Sequence, residues 1–239
     1  AAEAALLRSR GHEVLEFRAS NAKAMAGGPL RLARTLLASA WNREAYRRVR
    51  QAFRDFRPSI LHCHNFFFAM SPSIFAAAKD QGVPTVLTLH NFRLVCPGAY
   101  LMRSGKPCEV CVGRSPWHGV PRRCYRRSAL QTALVAHMIS SNRRRRTWVN
   151  LVDMYIALTD FCQEVFARGG LPAEKIVVKP NFVADPLEQA GGRRPAVGNE
   201  SPASGLRPRA LFVGRLSPEK GVQTLLAAWK QVRAEAPEA

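Results

Sequence analysis

Short apolar runs that stop at a histidine, asparagine or glycine alternate along this chain with stretches whose apolar residues recur every three or four positions. That is the pattern of strands feeding loops and helices. Ala1 to Arg10 has helical spacing with Gly11 as its C-cap, and Glu13 to Phe17 reads as a strand. Ser20 to Gly28 is small and polar, a loop. Leu30 to Phe56 reads as helical with a break near Trp41-Asn42, and Arg57-Pro58 ends it because a residue before proline avoids the helical region. Ser59 to Cys63 is the next strand. Ser71 to Lys79 follows as a capped helix, stopped by Gly82-Val83-Pro84, and Thr85 to Leu89 is an apolar run of the buried, parallel kind.

The second half repeats the alternation. Ser128 to Ser141 carries Leu130, Leu134, Val135 and Met138 at helical spacing; Met154 to Leu158 is a strand; Thr159-Asp160 caps a helix that runs to Arg168 and stops at Gly169-Gly170; Ile176 to Val178 is a further strand. Beyond a segment rich in Pro, Gly, Ser and Asn comes the apolar run Ala210 to Val213, then Gly214, then Leu225, Leu226 and Trp229 on a helical period. Ser217 as N-cap, Pro218 at the first helical position and Glu219 in the first turn predict where that helix begins.

Strands alternating with helices predict an α/β fold, a Rossmann-like, doubly wound parallel sheet. Residues 1–184 form a first domain whose Glu13 to Phe17 strand belongs to a βαβ unit with its first strand missing. Residues 185–207 form a linker, and residues 208–239 the first βα unit of a second, truncated domain. The opening Ala and the helical start read as an internal fragment. An apolar fraction of 47% in 239 residues suffices for a sizeable core, and no apolar run is long enough to span a bilayer.

Charge changes the picture of partners. Thirty-six Lys and Arg against 17 acidic residues give a formal net charge of +19, which draws the chain towards nucleic acid, an anionic membrane surface or phosphorylated substrates. Base-reading and stacking signatures of RNA-binding, zinc-finger or helix-turn-helix proteins are lacking, so nucleic acid is not expected. The basic runs Arg122 to Arg127 and Arg143 to Arg146 bracket the Ser128 to Ser141 helix. They read either as a solvated face or as a peripheral contact with an anionic leaflet, where each basic residue contributes about 1 kcal/mol. Six Cys are too sparse for a disulfide-framed secreted domain, which points to a reducing, cytoplasmic setting.

Candidate chemistry gathers at four places. His62, His64 and Asn65 lie near the carboxyl end of one predicted strand, and His90-Asn91 at the end of the next, where open parallel sheets bind ligands. His62 and His64 alternate, so both face one side; without a nearby third ligand in the sequence, an active-site rim or a satisfied polar edge is preferred to a metal site. Phe66, Phe67 and Phe68 read as core or cleft lining. The loop-rich segment 96–124 holds Cys96, Cys108, Cys111 and Cys124, with Cys108-Glu-Val-Cys111 as a C-x-x-C pair. Structural zinc and unligated thiols are the two leading readings, ahead of a disulfide or an iron–sulfur centre. Arg215 and Lys220 flank a predicted helix start, a seat suited to a diphosphate.

Residues 212–221, Phe-Val-Gly-Arg-Leu-Ser-Pro-Glu-Lys-Gly, resemble the opening of the nucleotide-sugar-binding domain of family-four glycosyltransferases, retaining enzymes of the GT-B fold. Pro84 to Asn91 resembles the amino-terminal domain of the same family, and Lys179-Pro-Asn-Phe-Val183 its segment that enters the interdomain hinge. The resemblance implies that Arg215 and Lys220 hold and neutralise the donor diphosphate in place of a catalytic metal, and that His90 reaches the transferred sugar. It places Gly214, His64, Asn65, Asn91 and Asn181 among the substrate-binding residues. It implies a nucleoside-diphosphate sugar as donor, a glycan or lipid-linked acceptor, a role in cell-envelope polysaccharide biosynthesis and a place at the inner face of the plasma membrane. A Cys-rich insert after the His-Asn is similar to that of a subgroup. The family's paired-glutamate motif lies further along than residue 239, so this stretch alone is expected to be inactive. The rival expectation is a non-catalytic basic module, held by zinc, that binds nucleic acid or anionic membrane.

Overall fold

The computed structural model describes residues 2–20, 28, 34–35, 37–182, 211–217 and 220–235. They fall into two units, Ala1–Arg103 with Pro107–Phe182, and Ser104–Lys106 with Val183–Ala239. The proposed linker, the position Ala210, and the helix-start residues Pro218 and Glu219 lie outside the described residues, as do most of the predicted loop up to Gly28 and part of the helix predicted from Leu30.

The first unit is built on a four-stranded parallel sheet. Its strands are β1 (Leu61–Cys63), β2 (Thr85–Leu89), β5 (Met154–Ala157) and β6 (Ile176–Val178), in the order β1-β2-β5-β6. The shorter β3 (Met102–Arg103) and β4 (Lys106–Pro107) belong to the cysteine-rich segment. Register runs Cys63↔Leu87, Leu87↔Tyr155 and Tyr155↔Ile176 across all four strands. These residues are buried at 7% exposure or less, which is why the strands read as near-continuous apolar runs. At the opposite end Thr85 N donates to Asp153 Oδ2 at 2.8 Å, tying β2 to the residue that precedes β5.

Helices α1 (Ala2–Ser9), α2 (Arg43–Phe56), α3 (Ser73–Lys79), α4 (Ala129–Arg144), α5 (Thr147–Asn150) and α6 (Asp160–Arg168) complete the unit. In α2, Ala45, Val49 and Phe53 recur every fourth residue and are buried, while the other face carries arginines. The predicted break at Trp41-Asn42 is its start: Asn42 Oδ1 accepts from Glu44 N and Ala45 N at 3.0 and 3.1 Å. Helix α3 begins at Ser73, with Ser71 Oγ accepting from Ser73 N, and contributes Ile74, Phe75, Ala77 and Ala78 to the core. Ser128 caps α4 through Gln131 N, and Thr159 caps α6 through Cys162 N. A second cluster joins Phe68, Tyr125, Val135, Met138 and Ile139.

Two predicted strands are absent. Residues 12–20 have no strand assignment and are almost wholly exposed; Leu15 is half exposed, and Glu16 pairs with Arg8 and Arg18. Residues 211–213 likewise lack strand structure, with Leu211 and Val213 more than four-fifths exposed. A lone extended segment has no ladder to join, and its alternation then carries no structural information. In the second unit the helix α7 spans Val222–Glu235. It starts five residues beyond the predicted cap at Ser217, after Gly221 adopts a φ of +70°.

Candidate active site

Two neighbouring strands of the sheet end in the same tripeptide, His64-Asn65-Phe66 after β1 and His90-Asn91-Phe92 after β2. Each asparagine turns the chain in the same way: Asn65 Oδ1 accepts from Phe67 N, and Asn91 Oδ1 from Arg93 N, both at 3.1 Å. Parallel pairing then sets the two histidines side by side. His64 Nδ1 and His90 Nε2 share a hydrogen bond of 3.0 Å, and their rings stack with centroids 5.3 Å apart. One strand position earlier, His62 Nε2 bonds Thr88 Oγ1 at 2.8 Å across the same pair of strands.

His64 and His90 border a small open hollow lined also by polar Asn65, Thr88, Asn91 and Arg93 and by apolar Phe66, Phe67 and Leu94. Phe66 and Phe68 are buried, one in each hydrophobic cluster, with Phe66 edge-on against Phe75, while Phe66 and Phe67 wall the hollow. His90 itself is exposed at the rim. Burial, and then the neighbouring His64, hold its imidazole below the ordinary value of 6.5. His62 is lowered for the same two reasons in the same order. Both rings are therefore neutral at neutral pH, able to accept a proton or a hydrogen bond.

Glu3 of α1 is the third ligand that the sequence did not offer. Its Oε2 lies 2.8 Å from His64 Nε2 and 3.9 Å from His62 Nδ1, and Lys179 Nζ bonds its Oε1 at 2.5 Å. Burial pushes the Glu3 carboxyl up, but the Lys179 hydrogen bond and the charges of His62, His64 and Lys179 outweigh it, and the group sits below its ordinary value. Among the described residues Glu3, His62 and His64 form the group whose ligand atoms come within 4.8 Å of one another. Helix α1 buries none of its residues, and the half-buried Glu3 carboxylate is held by the Lys179 hydrogen bond and its pairing with His64. Nothing in the spacing of His62 and His64 pointed to a partner so distant in sequence.

Arg93 was also missed. Its guanidinium lies over the rings of Phe67 and Tyr125, 4.8 Å from each centroid, and Nη1 donates to the Pro97 carbonyl. In a chain with 36 Lys and Arg, one more arginine gives no signal by itself.

The cysteine-rich segment lies beside the sheet end. Cys96, Cys108, Cys111 and Cys124 are all free, and each of the other three raises the Cys111 thiol electrostatically, after burial, to about 11. The four thiols are thus neighbours, more loosely spaced than the Glu3 group. The segment docks on the end of α6: Glu109 pairs with Arg168 at 2.8 Å, and Gly113, at φ +65°, leaves no room for a Cβ, which would sit 2.8 Å from the Arg168 carbonyl.

Asn181 is exposed near the end of the first unit, and Gly214, Arg215 and Lys220 are exposed in the second. There Ser217 O accepts from Lys220 N at 2.9 Å, a tight turn that ends before α7 begins. Lys220 stands two residues before Val222, the first residue of α7, and Arg215 lies further back. No described helix is long and apolar enough to cross a membrane.

Comparison with known proteins adds one finding. Residues 2–185 match the family model Glycosyltransferase Family 4. No curated protein and no solved structure matches the chain.

Proposed function

The chain belongs to glycosyltransferase family 4, and from that premise we propose that it serves transfer of a sugar from a nucleoside-diphosphate sugar to a hydroxyl of a polysaccharide or lipid-linked glycan, with retention at the anomeric carbon. The observation that carries the reading is the position of His90: neutral, exposed at the rim of a polar hollow, at the carboxyl end of a central parallel strand.

In this reading His90 receives a hydroxyl of the transferred sugar and steadies charge near the reacting carbon. His64 fixes the His90 ring through the 3.0 Å hydrogen bond, so the nitrogen left over points the same way in every turnover. Asn65, Asn91 and Asn181 add polar contacts to substrate. Arg215 and Lys220 take the leaving diphosphate, the charge that grows as the glycosidic bond breaks, and Gly214 lets the backbone approach it. No protein nucleophile is needed when the acceptor attacks from the face the leaving group departs.

Two supporting roles complete the proposal. Cys96, Cys108, Cys111 and Cys124 supply the soft donors that structural zinc takes, on a segment with little apolar core of its own. A bound zinc would hold that segment in shape and take no part in transfer. Arg122 to Arg127 and Arg143 to Arg146 suit a peripheral contact with anionic lipid at the inner face of a plasma membrane, and hence a place in cell-envelope polysaccharide synthesis.

Titration calorimetry of the chain with nucleoside diphosphates tests the donor half. Binding that falls at least tenfold in both Arg215→Ala and Lys220→Ala is the expected result. Equal affinity in wild type and both variants would remove these residues from the donor site.

A further inference from the structure

We propose that Arg93 makes the hollow beside His64 and His90 a seat for an oxyanion, so that the acceptor hydroxyl belongs to a molecule carrying a phosphate or carboxylate group. This deepens the transferase reading and rests on it for the word acceptor; the anion seat itself does not.

The argument starts from an unbalanced charge. Arg93 follows β2 by four residues, and its backbone N–H donates to Asn91 Oδ1 in the turn that leaves the strand. Its guanidinium is largely desolvated, the main cause that lowers its pKa, yet no described carboxylate lies within ion-pair distance of it. Proteins that bury a cation usually supply a carboxylate, because an unpaired charge out of water is costly. The neighbours of Arg93 include two ring faces and one carbonyl, those of Phe67, Tyr125 and Pro97, with Cys96, Tyr100 and Arg126 near enough to act on its charge. Ring faces hold a guanidinium flat without using its N–H edge. Arg93 lines the hollow, whose lining contains no Asp or Glu, and apart from Nη1 on the Pro97 carbonyl its side-chain N–H groups have no acceptor among the described residues.

The rest of the lining fits the same ligand. His64, Asn65, Thr88, His90 and Asn91 are hydrogen-bonding groups without negative charge. The carboxylate that reaches His64, that of Glu3, is engaged by Lys179 and meets the ring at Nε2, while His90 is bonded to Nδ1. A flat fork of N–H donors at the wall of a polar, acid-free hollow matches the paired oxygens of a phosphate or carboxylate, and the open mouth of the hollow leaves the rest of the ligand in solvent.

The test uses the chain with Arg215→Ala and Lys220→Ala, so that any anion bound by the nucleotide loop is silenced. Inorganic pyrophosphate, glucuronate and neutral glucose are titrated, with affinity read by calorimetry and location by the ring-proton resonances of His64 and His90. Expected are binding of at least one anion about tenfold tighter than glucose, shifts of both histidine resonances, and a further tenfold loss in Arg93→Met. Tighter pyrophosphate points to a phosphate-linked acceptor, tighter glucuronate to a uronic acid. Arg93→Lys keeps the charge and loses the fork; should Arg93→Met not fold, a tenfold loss in Arg93→Lys supports the seat. Glucose binding as well as both anions, histidine resonances that do not move, or unchanged anion affinity in a folded Arg93 variant would each overturn the proposal. Loss of nucleotide binding by the chain with Arg215 and Lys220 intact would instead sink the transferase reading and leave the anion seat standing.

Discussion

The end of β2 and the loop from Leu211 to Lys220 carry the same kind of sequence signal, an apolar run that stops at a turn and hands over to polar residues. They have opposite structural fates. Leu87 and Leu89 are buried under neighbouring strands, whereas Leu211, Val213 and Leu216 are more than four-fifths exposed. Thr88 and His90 are each bonded to a histidine of the adjacent strand, whereas the Ser217 hydroxyl is buried with no hydrogen-bond partner. The difference lies in company: a strand end becomes a site only when a second strand sets its side chains against another row. The histidine pair is a property of two strands, and no reading of either alone contains its geometry.

The contrast can be broken by stability, where the largest effect is expected. Phe75→Ala should cost about 3–5 kcal/mol, since the ring is fully buried beneath the sheet. Leu211→Ala should stay within about 0.5 kcal/mol. Urea melts of the two variants decide, and a Leu211 variant that loses as much as the Phe75 one would show that the loop is packed after all. The chemistry comes next. In protein that transfers sugar, His90→Ala should lower kcat by roughly 100-fold with donor binding retained, while Lys220→Ala should weaken donor binding first. A His90 variant with full turnover would leave the strand end a structural feature.

Capping sharpens the same comparison at smaller scale. Asn42→Ala removes two capping bonds at the start of α2 and the Nδ2 bond to the Ala69 carbonyl and should cost about 1–2 kcal/mol, whereas Ser217→Ala, which loses no hydrogen bond, should be near neutral. Thermal melts of the pair suffice. The smallest effect is that of acid. His62 and His90 have folded values below 6.5, so an unfolded chain takes up protons first as the pH falls through 6.5. Stability is then complete above 6.5 and declines towards the folded values below it. The melting temperature should drop between pH 7.5 and 5.5, and less so in His62→Gln; a rise on acidification would mean that the rings gain charge on folding.

Much of the sheet was legible because strands with a buried face read as largely apolar runs, and Thr85 to Leu89, Met154 to Leu158 and Ile176 to Val178 do so between clear turn residues. The break at Trp41-Asn42 was legible because Asn has few better uses than a cap. Glu13 to Phe17 and Ala210 to Val213 misled for a common reason: apolar character states what a segment could pair with, never whether the partner is there. His90 was found through its place at a strand end and the resemblance of Pro84 to Asn91. Arg93 was not, since its meaning comes from what surrounds it. Glu3 reached His64 by the path of the whole chain, which local spacing does not encode.

The repeated His-Asn-Phe has a further consequence. Because each asparagine hooks its own backbone, the gauge between the two imidazoles is fixed by strand separation and not by what the rings touch. Exchanging either ring for another side chain would retune this edge like swapping bits in one chuck, leaving the tool holder undisturbed, and so gives selection a cheap way to vary chemistry here.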